Sequence, residues 1–139
     1  LVSIGGNDVR NILSMNDLAK DDAFKVRLDN SLSSLEQTLK VLRTTNPNSN
    51  VAVLGLYNPY AKATSVEDTR LLNTWNYNVQ QLVEEDQRAI FIPTNDLLKF
   101  NLDRYIAKDG LHPNSAGYQA LSNRISKSVE TIISNQSMQ

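Results

Sequence analysis

Cysteine is absent from the 139 residues, and histidine occurs once. The first absence excludes a disulfide scaffold and a thiolate metal site, and it removes cysteine usage as a guide to compartment. One histidine without clustered carboxylates around it makes a metal site unexpected as well. Charge of one sign is also missing. Fourteen Lys and Arg face fifteen Asp and Glu, for a net charge of −1, with no basic stripe. That argues against nucleic acid or an anionic membrane surface as the main partner. No apolar run approaches the roughly 20 residues of a membrane span. Glycine and proline are few, and neither gathers into a linker; no internal repeat is visible.

What remains is an ordinary composition, 40% hydrophobic and 21% charged, in a length suited to one domain. The chain opens Leu1-Val2-Ser3-Ile4-Gly5, without an initiator Met, a polar leader or a signal-peptide pattern. A buried strand that begins at the first residue implies that an N-terminal portion is missing. The compartment is therefore open: a signal lost with that portion would make the whole protein secreted or cell-surface.

Three short apolar runs alternate with three longer helical patterns. The runs are Leu1 to Ile4, Val51 to Tyr57 and Ala89 to Pro93. Near-continuous apolar character suits strands covered on both faces, as in a parallel sheet. A first helix is expected over Ala23 to Thr44, where Leu28, Leu32, Leu35, Leu39 and Leu42 recur by fours and threes. A second starts at Thr64-Ser65-Val66-Glu67, a capping-box pattern, with Leu72, Trp75, Val79, Leu82 and Val83 facing inward. A third follows Pro113, capped by Asn114 or Ser115, with Tyr118, Leu121, Ile125, Val129 and Ile132 along its inner face. Glu84-Glu85-Asp86 reads as a solvated helix end, and Ser134 to Gln139 as a polar, frayed tail. The alternation predicts a doubly wound α/β layer with right-handed crossovers.

In such sheets ligands bind at the carboxyl ends of the strands. The residues there are Gly5-Gly6-Asn7-Asp8, Tyr57-Asn58-Pro59 and Thr94-Asn95, with Asp109-Gly110-Leu111-His112-Pro113 just before the last helix. A carboxylate that accepts the Nδ1 proton of a histidine fixes its tautomer and frees Nε2 to act as a base. Asp109 and His112 have that spacing, although a surface Asp and His in a turn would read the same. The two glycines allow a sharp exit from the strand and close approach of a ligand. The Asn7 amide can donate to a developing oxyanion, or simply cap a turn. Gly-Gly-Asn-Asp is not a phosphate-binding glycine pattern, and no phosphate-binding lysine follows. Val9, Ile12, Leu13 and Met15 either line an acyl pocket or pack a short helix onto the domain. Tyr57 and Tyr60 flank a strand end where they could shape a substrate mouth; Trp75 reads as core.

Taken together, Gly5-Gly6-Asn7-Asp8 at a strand end and Asp109-Gly110-Leu111-His112-Pro113 before a final helix resemble the third and fifth sequence blocks of the SGNH/GDSL hydrolases. The likeness is to the bacterial lipase/acylhydrolase branch and spans essentially the whole chain. It implies a three-layer α/β/α, flavodoxin-like sheet in the order 2-1-3-4-5, with the strands here as the third, fourth and fifth. It also implies a serine ester hydrolase acting through an acyl-enzyme on small-molecule or lipid esters, without a cofactor. His112 would be the base, Asp109 its orienting partner and Asn7 the oxyanion donor beside Gly5 and Gly6. Val9, Ile12 and Tyr57 would line the substrate site. The family's Gly-Asp-Ser nucleophile block and its second block are not in these residues, and no serine stands in a Gly-Asp-Ser or Gly-x-Ser-x-Gly context. The first strand would then be an exposed sheet edge, held by a second copy or by an N-terminal segment. Two other readings stay open: a non-catalytic module that kept the fold, and a nucleotide-binding flavodoxin-like domain.

Overall fold

A computed structural model describes residues 1–13, 15, 17–60 and 65–137. In chain order the elements are β1 (Val2–Ser3), α1 (Gly6–Leu13), α2 (Asp17–Thr45), β2 (Val51–Leu54), α3 (Val66–Glu84), β3 (Ala89–Ile92), α4 (Asn95–Leu98), α5 (Leu102–Tyr105) and α6 (Ser115–Ser137). The three strands form one parallel sheet in the order β1-β2-β3. Val2 and Ser3 pair with Val53 and Leu54, and Val51 to Leu54 pair in turn with Ala89 to Ile92. Helices cover both sides of the sheet in a flavodoxin-like α/β/α arrangement.

The period-2 alternation of the strands divides the interior between the two sides. Val51, Val53 and Ala89 join Val9 and Ile12 of α1, Phe24, Leu28, Leu35 and Leu39 of α2, and Leu71, Leu72, Trp75, Val79 and Val83 of α3 in one apolar cluster. Ala52 and Ile92 alternate with these positions and are buried too, as are Leu98, Leu102, Leu121 and Ile132 of the later helices. Burial of such side chains contributes about 1.5–3 kcal/mol each, before the cost of ordering them.

Helix α2 begins at Asp17, six residues before the expected Ala23. The extra turns are amphipathic in disguise. Phe24 is buried, and four residues before it lies Lys20, also buried, whose Nζ stands 3.0 Å from Asp68 of α3. A long charged side chain thus occupies an inward position because a carboxylate meets it there. Burial alone would raise the Asp68 carboxyl; hydrogen bonds from Lys20 and Ser65 outweigh it and hold the group below the usual range. Removing one partner of such a buried pair typically costs about 3–5 kcal/mol.

The capping box of α3 is one residue later than expected. Ser65, not Thr64, is the N-cap: its hydroxyl accepts from the Asp68 amide, and Asp68 accepts from the Ser65 amide. Thr64 lies outside the described residues. At the other end of α3, Glu84 and Glu85 are exposed as expected, whereas Asp86 is half-buried: Arg43 Nε donates to it at 2.7 Å and ties α2 to the turn before β3. Along α6, Leu121 and Ile132 are buried, Ile125 and Val129 half-buried, and Tyr118 exposed. The helix continues to Ser137 through the segment expected to fray. The one-turn helices α4 and α5 were not apparent in the sequence, being too short for a helical period to show.

Candidate active site

Three strand ends and one loop build the site. At the end of β1, Gly5 adopts φ +90° and its carbonyl accepts the first helical bond, 2.9 Å from the Val9 amide. A Cβ at Gly5 would sit 1.9 Å from Cζ2 of Trp75. Both the left-handed backbone and the indole beneath it require glycine here. The turn places Asn7 in the first turn of α1, exposed on the cleft side, while Val9 and Ile12 face inward. Asp8 accepts from Arg27 Nη1 of α2 at 3.2 Å.

Beyond β2 the chain leaves strand geometry but not its hydrogen bonds. The Gly55 amide donates to the Ile92 carbonyl at 2.9 Å, and the buried Thr94 hydroxyl donates to the Gly55 carbonyl at 2.7 Å. Asn76 of α3 takes over at Leu56, accepting from its amide at 2.7 Å and donating to its carbonyl at 2.8 Å. One side-chain amide thus replaces a neighbouring strand. The Asn58 amide then donates to Asn95 Oδ1 at 3.1 Å. Asn76 went unnoticed in the sequence. Its signal was there: it lies four residues after Leu72 on the inward stripe of α3, a position where an amide needs a buried partner.

The histidine loop is closed by its own backbone. Ile106 and Pro113 form an antiparallel bridge, the Ala107 amide donates to the His112 carbonyl at 2.8 Å, and the Gly110 amide donates to Ala107 at 3.0 Å. Gly110 has φ +72° with open space around it, so backbone conformation alone selects glycine there. Asp109 Oδ1 accepts from the amides of Leu111 and His112 at 2.9 and 3.0 Å, and Oδ2 lies 2.7 Å from His112 Nδ1. The His112 hydrogen bond, then the two amides, pull the Asp109 carboxyl down to about 2. The support this carboxylate gives the loop is therefore complete above its ordinary 3.8 and is lost as pH falls through about 2. Asn114 anchors the loop to its surroundings. It accepts from the Gly117 amide at 3.0 Å as the N-cap of α6, and its Nδ2 donates to the Arg104 carbonyl at 2.9 Å. Between Asn114 and Ser115, the cap is Asn114.

Tyr57 links the second strand end to this loop, its hydroxyl donating to the Leu111 carbonyl at 2.8 Å. Burial first, then the neighbouring Tyr118, Asp109 and Tyr60, push the phenol up to about 12, so it stays a donor.

These pieces enclose a cleft of about 590 Å³, lined by Gly5, Gly6, Asn7, Val9, Tyr57 and His112 together with apolar side chains such as Ile4, Leu13, Leu54 and Leu121. Asn7 and His112, 105 positions apart in the sequence, face the same space. Ile12 does not. It is fully buried in the core under α1 and is not part of the cleft lining. Met15 is exposed and also outside the lining, whereas Leu13 is part of it. Among the described residues, no three His, Cys, Asp or Glu side chains gather closely enough to hold a metal ion. No helix among them is long and apolar enough to cross a membrane.

A parallel α/β/α sheet with an Asp–His pair and an asparagine at its carboxyl edge defines a class, and comparison with known proteins names it. Residues 1–120 match the GDSL-like Lipase/Acylhydrolase family, and the chain belongs to that family. Among solved structures, the lipase Lip_vut3 from goat rumen metagenome is similar, with a TM-score of 0.76 and 21% identity; the match covers 90% of this chain and 60% of that one. A protein provisionally named a platelet activating factor, from Streptococcus pneumonia, has a TM-score of 0.62 and 24% identity over 79% of this chain and 55% of its own. The chain thus spans somewhat over half the length of these two neighbours. No curated protein matches it by sequence.

Proposed function

We propose that the whole protein is a serine ester hydrolase that cleaves carboxylic esters, thioesters or lysolipid-type acyl groups through an acyl-enzyme, and that this chain supplies its base and an oxyanion donor. The observation that carries the reading is the 2.7 Å contact of His112 Nδ1 with Asp109 in a cleft also lined by Asn7. With Nδ1 engaged by the carboxylate, Nε2 takes the serine proton as the hydroxyl attacks the ester carbonyl. The imidazolium then gives that proton to the departing alcohol. Asn7 Nδ2 donates to the oxygen on which negative charge develops. Water, deprotonated by the same nitrogen, releases the acid and regenerates the serine. The serine is supplied by residues outside these 139, and the reaction uses no cofactor.

A fluorophosphonate probe, which labels activated serines, tests this. The full-length protein should be labelled stoichiometrically and should hydrolyse a short-chain p-nitrophenyl ester. The 139 residues alone should do neither. An unlabelled full-length protein would remove the acyl-enzyme; strong labelling of the 139 residues would place the nucleophile among them.

The Tyr57 hydroxyl has a definite part in this reading, since it holds the backbone next to His112. Replacing Tyr57 by Phe leaves the Leu111 carbonyl without this donor, a loss of roughly 0.5–1.5 kcal/mol for a part-buried hydrogen bond. A fall of about tenfold in kcat with little change in KM is expected, as the base loses its fixed position. If KM rises instead and kcat holds, Tyr57 shapes the substrate mouth and does not position the histidine.

A further inference from the structure

The charged groups of the cleft are unequally matched. Its lining includes one carboxylate and one guanidinium from α1, Asp8 and Arg10. Asp8 is engaged by Arg27 at 3.2 Å. Asp109, the carboxylate beside His112, is committed to the imidazole and to two backbone amides. Arg10 is exposed and pairs with no carboxylate among the residues whose side chains are described. Once these pairs are formed, Arg10 is left as the unpaired charge of the wall carrying Asn7, among the residues whose side chains are described.

Arg10 follows Asn7 by three residues on α1, so the two lie on neighbouring turns of one helix face, about 4.5 Å apart along its axis. The first turn of α1 adds partial positive charge from its unbonded amides. Around them the cleft is walled by Ile4, Leu13, Leu54 and Leu56, and apolar walls focus the field of a charge that faces them. A guanidinium offers a planar fork of donors suited to carboxylate and phosphate.

We propose that Arg10 receives an anionic group of the substrate, so that the esters taken by this cleft carry a carboxylate or phosphate about one helical turn from the scissile carbonyl. This inference rests on the ester-hydrolase reading above and adds a substrate class to it. The anion can belong to the acyl part or to the alcohol part, and the test separates them.

The full-length enzyme is assayed on two matched pairs. For the acyl side, mono-p-nitrophenyl glutarate is compared with p-nitrophenyl valerate. For the alcohol side, the acetyl ester of glycerol 3-phosphate is compared with glyceryl acetate. In one pair the anionic ester should show a kcat/KM about tenfold higher, chiefly through KM, and the advantage should shrink as salt rises from about 0.05 to 0.5 M. Arg10→Gln should bring that ratio close to one, and Arg10→Lys should restore part of it. Ratios near or below one in both pairs for the unaltered enzyme would overturn the inference while leaving ester hydrolysis standing. A preference that survives Arg10→Gln would overturn it as well, placing the anion elsewhere. Absence of hydrolysis on all four esters would sink both the inference and the reading beneath it.

Discussion

Replacing His112 by alanine in the full-length protein is expected to lower kcat for a short-chain p-nitrophenyl ester by on the order of 10⁵–10⁶-fold, with KM much less affected. The size follows from cooperation in the proposed mechanism: base, orienting carboxylate and nucleophile would act as a unit, and loss of the histidine would remove nearly all that the unit provides. The alanine variant should fold, because the imidazole is exposed and the loop is closed by the Ala107 and Gly110 amides, which donate to backbone carbonyls, and by the Asp109 carboxylate, which accepts from the Leu111 and His112 amides. Asp109→Asn should fall by roughly 10⁴-fold, since an amide cannot stabilise the imidazolium and permits the wrong tautomer. Equal ester hydrolysis by the parent and by His112→Ala would take His112 out of the mechanism.

Gly5→Ala should be the most damaging small substitution in stability. The added methyl would be forced to within 1.9 Å of the Trp75 ring, at a backbone φ of +90°. Left-handed backbone costs an L-residue about 1–2 kcal/mol and overpacking of a full core about 1–3 kcal/mol more. Together they suggest a loss of about 2–5 kcal/mol, a large part of the stability of a typical domain. Urea denaturation of the full-length protein would measure it. Trimming the indole should relieve the steric part alone, so Gly5→Ala with Trp75→Leu should lose less than the sum of the two single changes. Strict additivity of the pair would show that Trp75 does not limit what position 5 can hold.

How much of this was legible beforehand differs from element to element. The strands were plain because a parallel sheet covered on both faces makes Val51 to Leu54 and Ala89 to Ile92 continuously apolar. The leucines of α2 and Trp75 of α3 announced their inward faces by helical spacing. The true start of α2 did not, since Lys20 is polar by composition and buried only because Asp68, 48 residues away, reaches it. Asp86 misled for the same reason, its partner Arg43 being equally remote in sequence. For the site, the Asp109–His112 spacing and the glycine turn carried local signals that survive without tertiary context. The supports around them are long-range bonds: Tyr57 to Leu111, Asn76 to Leu56 and Thr94 to Gly55. For Ile12 the short apolar helix α1 does not announce in the sequence which face turns inward, and its side chain lies in the core.

The brevity of β1 has a bearing on how the protein breathes. Two residue pairs dock that strand on β2, against four between β2 and β3. Proteins open along their weakest seam, well below the free energy of global unfolding. Asn7 lies on one side of the shorter seam and His112 on the other, and more than the strand spans it: Val9 and Ile12 are buried in the core and Gly5 sits against Trp75. The relative placement of Asn7 and His112 therefore depends on the packing of α1 against the core as well as on two strand pairs.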